Sequence, residues 1–125
     1  MPDNVQAQHN KSGVLQSLGE VQASLAQHTE ALVSYQAAIT IYDRALERVP
    51  DNVLIQHHKA ITLQSLGDVQ ASLIQYAEAL ASYQAAITVY DTVLAWAPND
   101  IITQANKGIA LQNLEKLKFF LSRHR

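Results

Sequence analysis

The chain nearly repeats itself with a period of 48 residues. Residues 3–50 align with residues 51–98 without a gap, and 31 of the 48 aligned pairs are identical. A third, partial copy runs from Asn99 to Arg125. Repetition at a fixed period is typical of a stacked array, in which each unit buries its apolar face against its neighbours. The sequence therefore predicts a repeat architecture, whose function is to be sought on its surfaces rather than in an enclosed pocket.

The composition is that of a soluble globular protein, with 48% hydrophobic and 16% charged residues. Cysteine is absent, which excludes disulfides and thiolate metal sites and mildly favours a reducing compartment. No apolar run reaches the roughly 18 residues that span a bilayer, and the opening Met1-Pro2-Asp3-Asn4 does not resemble a signal peptide. We therefore expect a cytoplasmic protein with no membrane partner.

Charge is distributed unevenly along the chain. Residues 1–100 carry ten acidic and four basic side chains, whereas residues 101–125 carry five basic ones and Glu115. Nucleic-acid binding requires a broad positive face, which an acidic body does not offer, so we expect no nucleic-acid partner. The basic end either favours head-to-tail association or only complements the C-terminal dipole of a last helix.

The pattern of apolar residues is helical, and the strongest helix breakers lie at the repeat boundaries. Pro50 and Pro98 each end a helix, and the Asp and Asn residues after them are good caps for the next one. Apolar residues recur every three or four positions, and no alternation of period two is sustained. The phase changes near Gln27 and Gln75, which predicts two antiparallel helices in each repeat. The predicted helices cover roughly residues 4–26, 30–48, 52–74, 78–96 and 100–122.

The spacing of small and aromatic residues resembles the tetratricopeptide repeat. The markers are Leu66-Gly67, Ala79 and Tyr83, with Ala86 and Pro98 completing the set, and the first repeat carries the same set. That family has a 34-residue helix–turn–helix unit. The 14 additional residues here divide into two segments of seven, or about two helical turns each, which lengthen the hairpin without changing its packing face.

The resemblance implies an all-α, right-handed α-solenoid of five helices. Its units are residues 3–50 and 51–98, followed by residues 99–125 as a terminal capping helix, the first helix of a truncated third repeat. Gly19 and Gly67 lie where two helices approach closely, so that a β-carbon is not tolerated. Alanines on the second helix of each hairpin are small for the same reason, and Tyr35 and Tyr83 fill the space beside them.

The turn inside each repeat departs from the family pattern. Where relatives often have glycine and aspartate, this chain has Ala26-Gln27 and Ile74-Gln75. No glycine is available for a left-handed residue, and the caps are weak. A competing structure is one continuous helix through each repeat, with helices exchanged between two chains in a swapped dimer.

No pattern in the sequence supports catalysis or a cofactor. The four glycines are dispersed rather than gathered in a phosphate loop, and no serine lies in a nucleophile elbow. His57 and His58 are adjacent, so they point to different faces and do not chelate one ion together. His9 and His57 occupy equivalent positions and could bind a metal along one surface, but we favour two partly exposed imidazoles. The sequence predicts a protein that is not an enzyme and needs no metal.

In the family that the chain resembles, first helices line a concave groove in which partners bind. Position by position, the groove residues are His9, Gln16, Glu20, Ser24, His57, Gln64, Asp68, Ser72, Gln112 and Lys116. Three glutamines form a ladder suited to the backbone of an extended peptide or a helix. The cationic clamp with which some relatives hold a C-terminal carboxylate is missing. With two acids in the groove, we expect a polar or basic peptide; the alternative is a solvated face chosen for helix propensity.

A second candidate surface lies on the last helix, which has no following helix to complete its repeat. Phe119 or Phe120 is expected to be exposed there, and an open apolar face is a site of interaction or aggregation. Alternatively, this helix is an ordinary cap of the array, or the chain is a piece of a longer array. The leading prediction is a non-catalytic scaffold that binds a protein or peptide in the groove. Self-assembly as a homodimer or a head-to-tail stack is the alternative.

Overall fold

The computed structural model describes residues 4–124, which form five α-helices and no β-strand. The predicted helix boundaries are correct to within two residues. Residues 1–3 and 125 lie outside the described part of the chain. The predicted first repeat begins at residue 3, and the predicted terminal helix ends at residue 125. The helices are α1 (Val5–Ser24), α2 (His28–Arg48), α3 (Val53–Ser72), α4 (Tyr76–Trp96) and α5 (Ile101–Arg123).

A side-chain cap begins the first helix of every repeat, and the caps after Pro50 and Pro98 were predicted from the sequence. The side chains of Asn4, Asn52 and Asp100 each accept a hydrogen bond of 3.0 Å from a backbone N–H three residues later. Such a bond satisfies one of the free donors of the first turn and stabilises the helix by about 1 kcal/mol. By contrast, α2 and α4 begin after Gln27 and Gln75, whose side chains make no capping bond.

Consecutive helices pack against each other throughout the chain, which is the contact pattern of a helical repeat. The short links between helices require neighbours to run antiparallel. α1 also touches α3, and α3 also touches α5. The three first helices therefore lie side by side in one layer, and α2 and α4 form the second layer.

Each hairpin is closed by the contact between a glycine and a tyrosine. A β-carbon on Gly19 would lie 2.6 Å from the ring of Tyr35, and one on Gly67 would lie 2.7 Å from the ring of Tyr83. Both distances are far below normal contact, so the predicted reason for these glycines is confirmed. The alanines beside the tyrosines are fully buried, namely Ala31, Ala38, Ala79 and Ala86.

The turn inside each repeat uses a left-handed residue even though no glycine is present. Ala26 has a φ of 61° and Ile74 a φ of 63°. The N–H of Gln27 donates to the carbonyl of Gln22 over 2.8 Å, and the same bond in the second repeat joins Gln75 to Gln70. This is the hydrogen bond of a Schellman motif. The hairpins are thus closed within one chain, in contrast to the competing expectation of a continuous helix.

Candidate interaction surfaces

All ten predicted groove residues belong to α1, α3 and α5, the three helices that form one layer. We call the exposed side of that layer the first-helix face. Six of the ten are exposed, namely Glu20, Ser24, Asp68, Ser72, Gln112 and Lys116. The other four are buried or half-buried and contact residues of neighbouring helices, as described below.

The predicted glutamine ladder is engaged inside the fold rather than free. The hydroxyl of Tyr42 donates to Oε1 of Gln16 over 2.7 Å, and that of Tyr90 donates to Oε1 of Gln64 over 2.8 Å. Gln112 is exposed and has no such partner among the described residues. Burial raises the pKa of both tyrosines, so they stay protonated and remain donors. The ladder is therefore mainly structural, and only Gln112 offers a whole amide to a ligand.

Asp68 lies in a cleft between α3 and α5. The cleft has a volume of about 270 Å³ and includes Tyr83, Asn113 and Lys116. Tyr83 donates its hydroxyl proton to Oδ1 of Asp68, and Asn113 donates to the same oxygen over 3.4 Å. Although Asp68 as a whole is exposed, burial of the carboxylate raises its pKa, and the bond from Tyr83 partly opposes that rise. The cleft thus holds an acid and, in Lys116, a cation.

The other acid and the two serines of the predicted groove make local contacts. Oε1 of Glu20 accepts a hydrogen bond of 3.3 Å from the Gln16 amide. Ser24 and Ser72 donate to backbone carbonyls of their own helices, over 2.8 Å and 3.1 Å. Both acids also make local hydrogen bonds, but neither forms a salt bridge with a described residue, so they are better candidates for binding a partner than the serines.

A larger depression opens between α1 and α3. Its volume is about 510 Å³, and its lining includes His9, Gly13, Gln16, Tyr42 and His58. Gly13 contributes to the space directly, because a β-carbon built there meets no atom within 4 Å. The depression is larger than the cleft at Asp68.

His9 and His57 are both partly exposed, as the favoured interpretation of the sequence has it, and His9 pairs with His58. The ring of His9 lies 5.2 Å from that of His58, and the Tyr42 ring stacks on His58 at 6.3 Å. Nδ1 of His57 lies 3.3 Å from Oγ1 of Thr103 on α5, the neighbouring first helix. Burial lowers the pKa of His58, and the nearby His9 and His57 lower it further. His58, which the sequence reasoning left out of the groove, is thus a neutral imidazole near pH 7.

Within residues 4–124, no group of three or more His, Asp or Glu side chains is placed to hold a metal ion. In the same part of the chain, no helix combines the length and the apolarity needed to cross a membrane.

The two phenylalanines near the end of α5 differ in their surroundings. Phe119 is 64% exposed, and the guanidinium of Arg123 lies 5.5 Å from its ring centre. Phe120 packs on Tyr76 of α4, with ring centres 5.4 Å apart. Phe119 is therefore the more open of the two predicted self-association residues.

An apolar stripe on α1 is a surface that the sequence reasoning missed. Its members are exposed large side chains, namely Val14, Leu18 and Val21 on one side of the helix and Leu25 at its C-cap. A signal was present in the alignment of the copies, since the same positions carry apolar residues in α3 and α5, with Thr62 as the one exception.

Compared with known proteins, the sequence matches no family model and no curated sequence.

Proposed function

We propose that this chain is a non-catalytic protein-interaction scaffold of the tetratricopeptide type, built as a right-handed solenoid, and that it binds a peptide or helix segment along the first-helix face. The depression of about 510 Å³ between α1 and α3 is the observation that carries the proposal. It is large enough for one bulky side chain of a ligand. The cleft at Asp68 lies further along the same layer and supplies a second contact point.

The chemistry of these two places favours a polar or basic segment with one large side chain. The imidazoles of His9 and His58 and the side chain of Asn10 line the open centre of the depression, which suits an aromatic or amide side chain. Glu20 and Asp68 make no salt bridge with any described residue, so a cation of the ligand can pair with them. Lys116 lies across the cleft from Asp68 and can bind an acidic or carbonyl group of the same segment.

A matched pair of glycine variants tests this function. Gly13→Leu fills the depression, whereas Gly108→Leu adds the same side chain to α5, and neither new β-carbon meets an atom within 4 Å. A random 12-residue peptide display library is selected on the wild-type chain. We expect selected peptides to bind the wild type and the Gly108→Leu variant, and to lose binding on Gly13→Leu. Peptides that bind all three proteins equally, or no enrichment at all, would contradict the proposal.

Charge reversal in the cleft provides a second test that leaves the tyrosine–glutamine bonds intact. Lys116→Glu should strengthen the binding of basic peptides. Asp68→Lys is not a clean counterpart, because it removes the acceptor of the buried Tyr83 hydroxyl. Gln64→Ala is unsuitable here, because it removes the partner of the buried Tyr90 and so changes the fold itself.

Self-assembly through α5 is the second candidate function. The observation that favours it is Leu111, which is 40% exposed, whereas the equivalent Leu63 is 9% exposed beneath α4. Together with Phe119 it forms an open apolar face. Light scattering over a range of concentrations should show association that Phe119→Glu abolishes. A mass that does not change with concentration would contradict self-assembly.

A further inference from the structure

Three apolar side chains of α1 and that of Leu25, its C-cap residue, face solvent. Val14, Leu18, Val21 and Leu25 are 69%, 45%, 56% and 63% exposed. Their spacing of four, three and four residues places them on one side of the helix, and the spacing is that of helix-pairing seams. Contiguous exposed apolar surface of this kind marks interaction sites in soluble proteins. We call these four residues the α1 stripe.

The same positions are covered in the other two copies. Leu66 in α3 is 6% exposed and Leu114 in α5 is 4% exposed, whereas their counterpart Leu18 is open. In α3 the cover comes from α2, because Leu66 and Val69 belong to one buried cluster with Ala31 and Tyr35. In α5 the cover comes from α4. The fold thus shows twice that the element covering such a stripe is an antiparallel helix with small and aromatic residues.

A salt bridge accompanies the covering helix in both cases. Nζ of Lys59 on α3 lies 2.6 Å from Oδ1 of Asp43 on α2, and Nζ of Lys107 on α5 lies 2.6 Å from Oδ1 of Asp91 on α4. Lys11 is the equivalent cation on α1, and it has no acidic partner among the described residues. A helix that covers the α1 stripe is therefore expected to bring an acid to Lys11.

We propose that the α1 stripe and Lys11 bind an amphipathic helix of another protein that runs antiparallel to α1. That helix carries an alanine and a tyrosine four residues apart, like Ala31 and Tyr35, and an acid eight residues after the tyrosine, like Asp43. A second copy of this chain has no free helix of that kind, because α2 and α4 already cover α3 and α5 with these faces. Val14 also lines the depression between α1 and α3, whereas Leu18, Val21 and Leu25 do not, so most of the α1 stripe lies outside the proposed peptide site.

The direct probe is a labelled peptide with the sequence of residues 28–49, which reproduces α2 and carries these features. Its fluorescence anisotropy is followed during titration with the full chain. We expect saturable binding of one peptide per chain, weakened about tenfold or more by Leu18→Glu, because a carboxylate in an apolar contact is costly. Ile101→Glu places the same charge on an exposed apolar site of α5 and should leave binding unchanged. The wild-type chain should not bind a scrambled version of the peptide.

Charge reversal then tests the register of the two helices. Asp43→Lys in the peptide should weaken binding by up to about fivefold, as expected for a surface ion pair. Lys11→Asp in the protein should restore binding of that altered peptide. If the double reversal restores nothing, the proposed pairing of Lys11 is wrong.

Three results would overturn the proposal as a whole. The first is the absence of saturable binding at the solubility limit of the peptide. The second is equal binding by the wild type and Leu18→Glu, which would place the peptide elsewhere. The third is a dimer that light scattering detects in the wild type and not in Leu18→Glu, because the stripe would then bind a second copy of the chain.

Discussion

The hydroxyl of Tyr42 donates to Oε1 of Gln16 over 2.7 Å, and 48 residues later Tyr90 and Gln64 repeat the bond at 2.8 Å. Each bond joins the second helix of a hairpin to the first, across 26 residues of chain. Because both tyrosines are buried, their hydroxyls depend on these partners. Gln16 and Gln64, which were predicted to belong to a peptide-binding ladder, therefore hold the two helices of each hairpin together.

Removing one of these hydroxyls should destabilise the protein. Tyr42→Phe leaves the buried carbonyl oxygen of Gln16 without its donor, which should lower the free energy of unfolding by about 1–2 kcal/mol. Urea denaturation measures the change. Tyr76→Phe is the matched control and should have little effect, since the Tyr76 hydroxyl makes no hydrogen bond with any residue between 4 and 124.

The glycines should divide into two classes when changed to alanine. Gly19→Ala and Gly67→Ala place a β-carbon against a tyrosine ring and should destabilise the fold by about 1–3 kcal/mol. Gly13→Ala and Gly108→Ala meet no atom within 4 Å and should stabilise it by about 1 kcal/mol through better helix propensity. Thermal denaturation of the four variants checks the sign of each effect, and a uniform sign would contradict the packing described here.

Glycine should be favoured at the two left-handed turn residues. Ala26→Gly and Ile74→Gly relieve a backbone conformation that costs L-residues about 1–2 kcal/mol. This relief outweighs the additional conformational entropy that glycine loses on folding. Ile74 is 72% exposed, so little packing is lost. We expect a gain of about 1 kcal/mol at each site in urea denaturation. Ala77→Gly, inside the next helix, is the control and should lose stability.

Stability should fall in mild acid because of His58. Its pKa is lowered in the folded state by burial and by the neighbouring rings of His9 and His57, and Tyr42 of α2 stacks on it. The unfolded chain therefore takes up the proton first, so this contribution is complete above about pH 6.5 and is lost as the pH falls toward the lowered value. His58→Asn should flatten the pH dependence of the free energy of unfolding between about pH 7.5 and 5.5. The same change at the exposed His124 should not.

The fold was largely predictable because its signals are local. Pro50 and Pro98 end helices, the caps Asn52 and Asp100 begin them, and the apolar spacing fixes which sides are buried. The turns were not predictable in the same way, since Ala26 takes a left-handed conformation that its own preference disfavours. Tertiary packing of the two helices, together with the Schellman bond of Gln27, supplies what the local sequence lacks.

The candidate surfaces were predicted less well because they depend on contacts between helices. The sequence gives Gln16 and Gln112 equivalent positions, but only Gln16 has a tyrosine from a second helix beside it. In the same way, Leu18 and Leu66 are equivalent in sequence and differ only in the presence of a covering helix. The pairing of His9 with His58 reflects the offset between neighbouring first helices, which sequence equivalence alone does not show.

Cysteine accessibility at three equivalent positions tests the central claim most directly, since the chain has no cysteine of its own. Leu18→Cys, Leu66→Cys and Leu114→Cys are prepared separately, and the rate of maleimide modification is measured at several protein concentrations. The repeat fold predicts rapid modification at position 18 and strong protection at positions 66 and 114, where α2 and α4 cover the thiol. Equal rates at all three positions would contradict the stacked array with an open α1 stripe. Protection at position 18 that increases with protein concentration would show that a second copy of the chain covers the stripe.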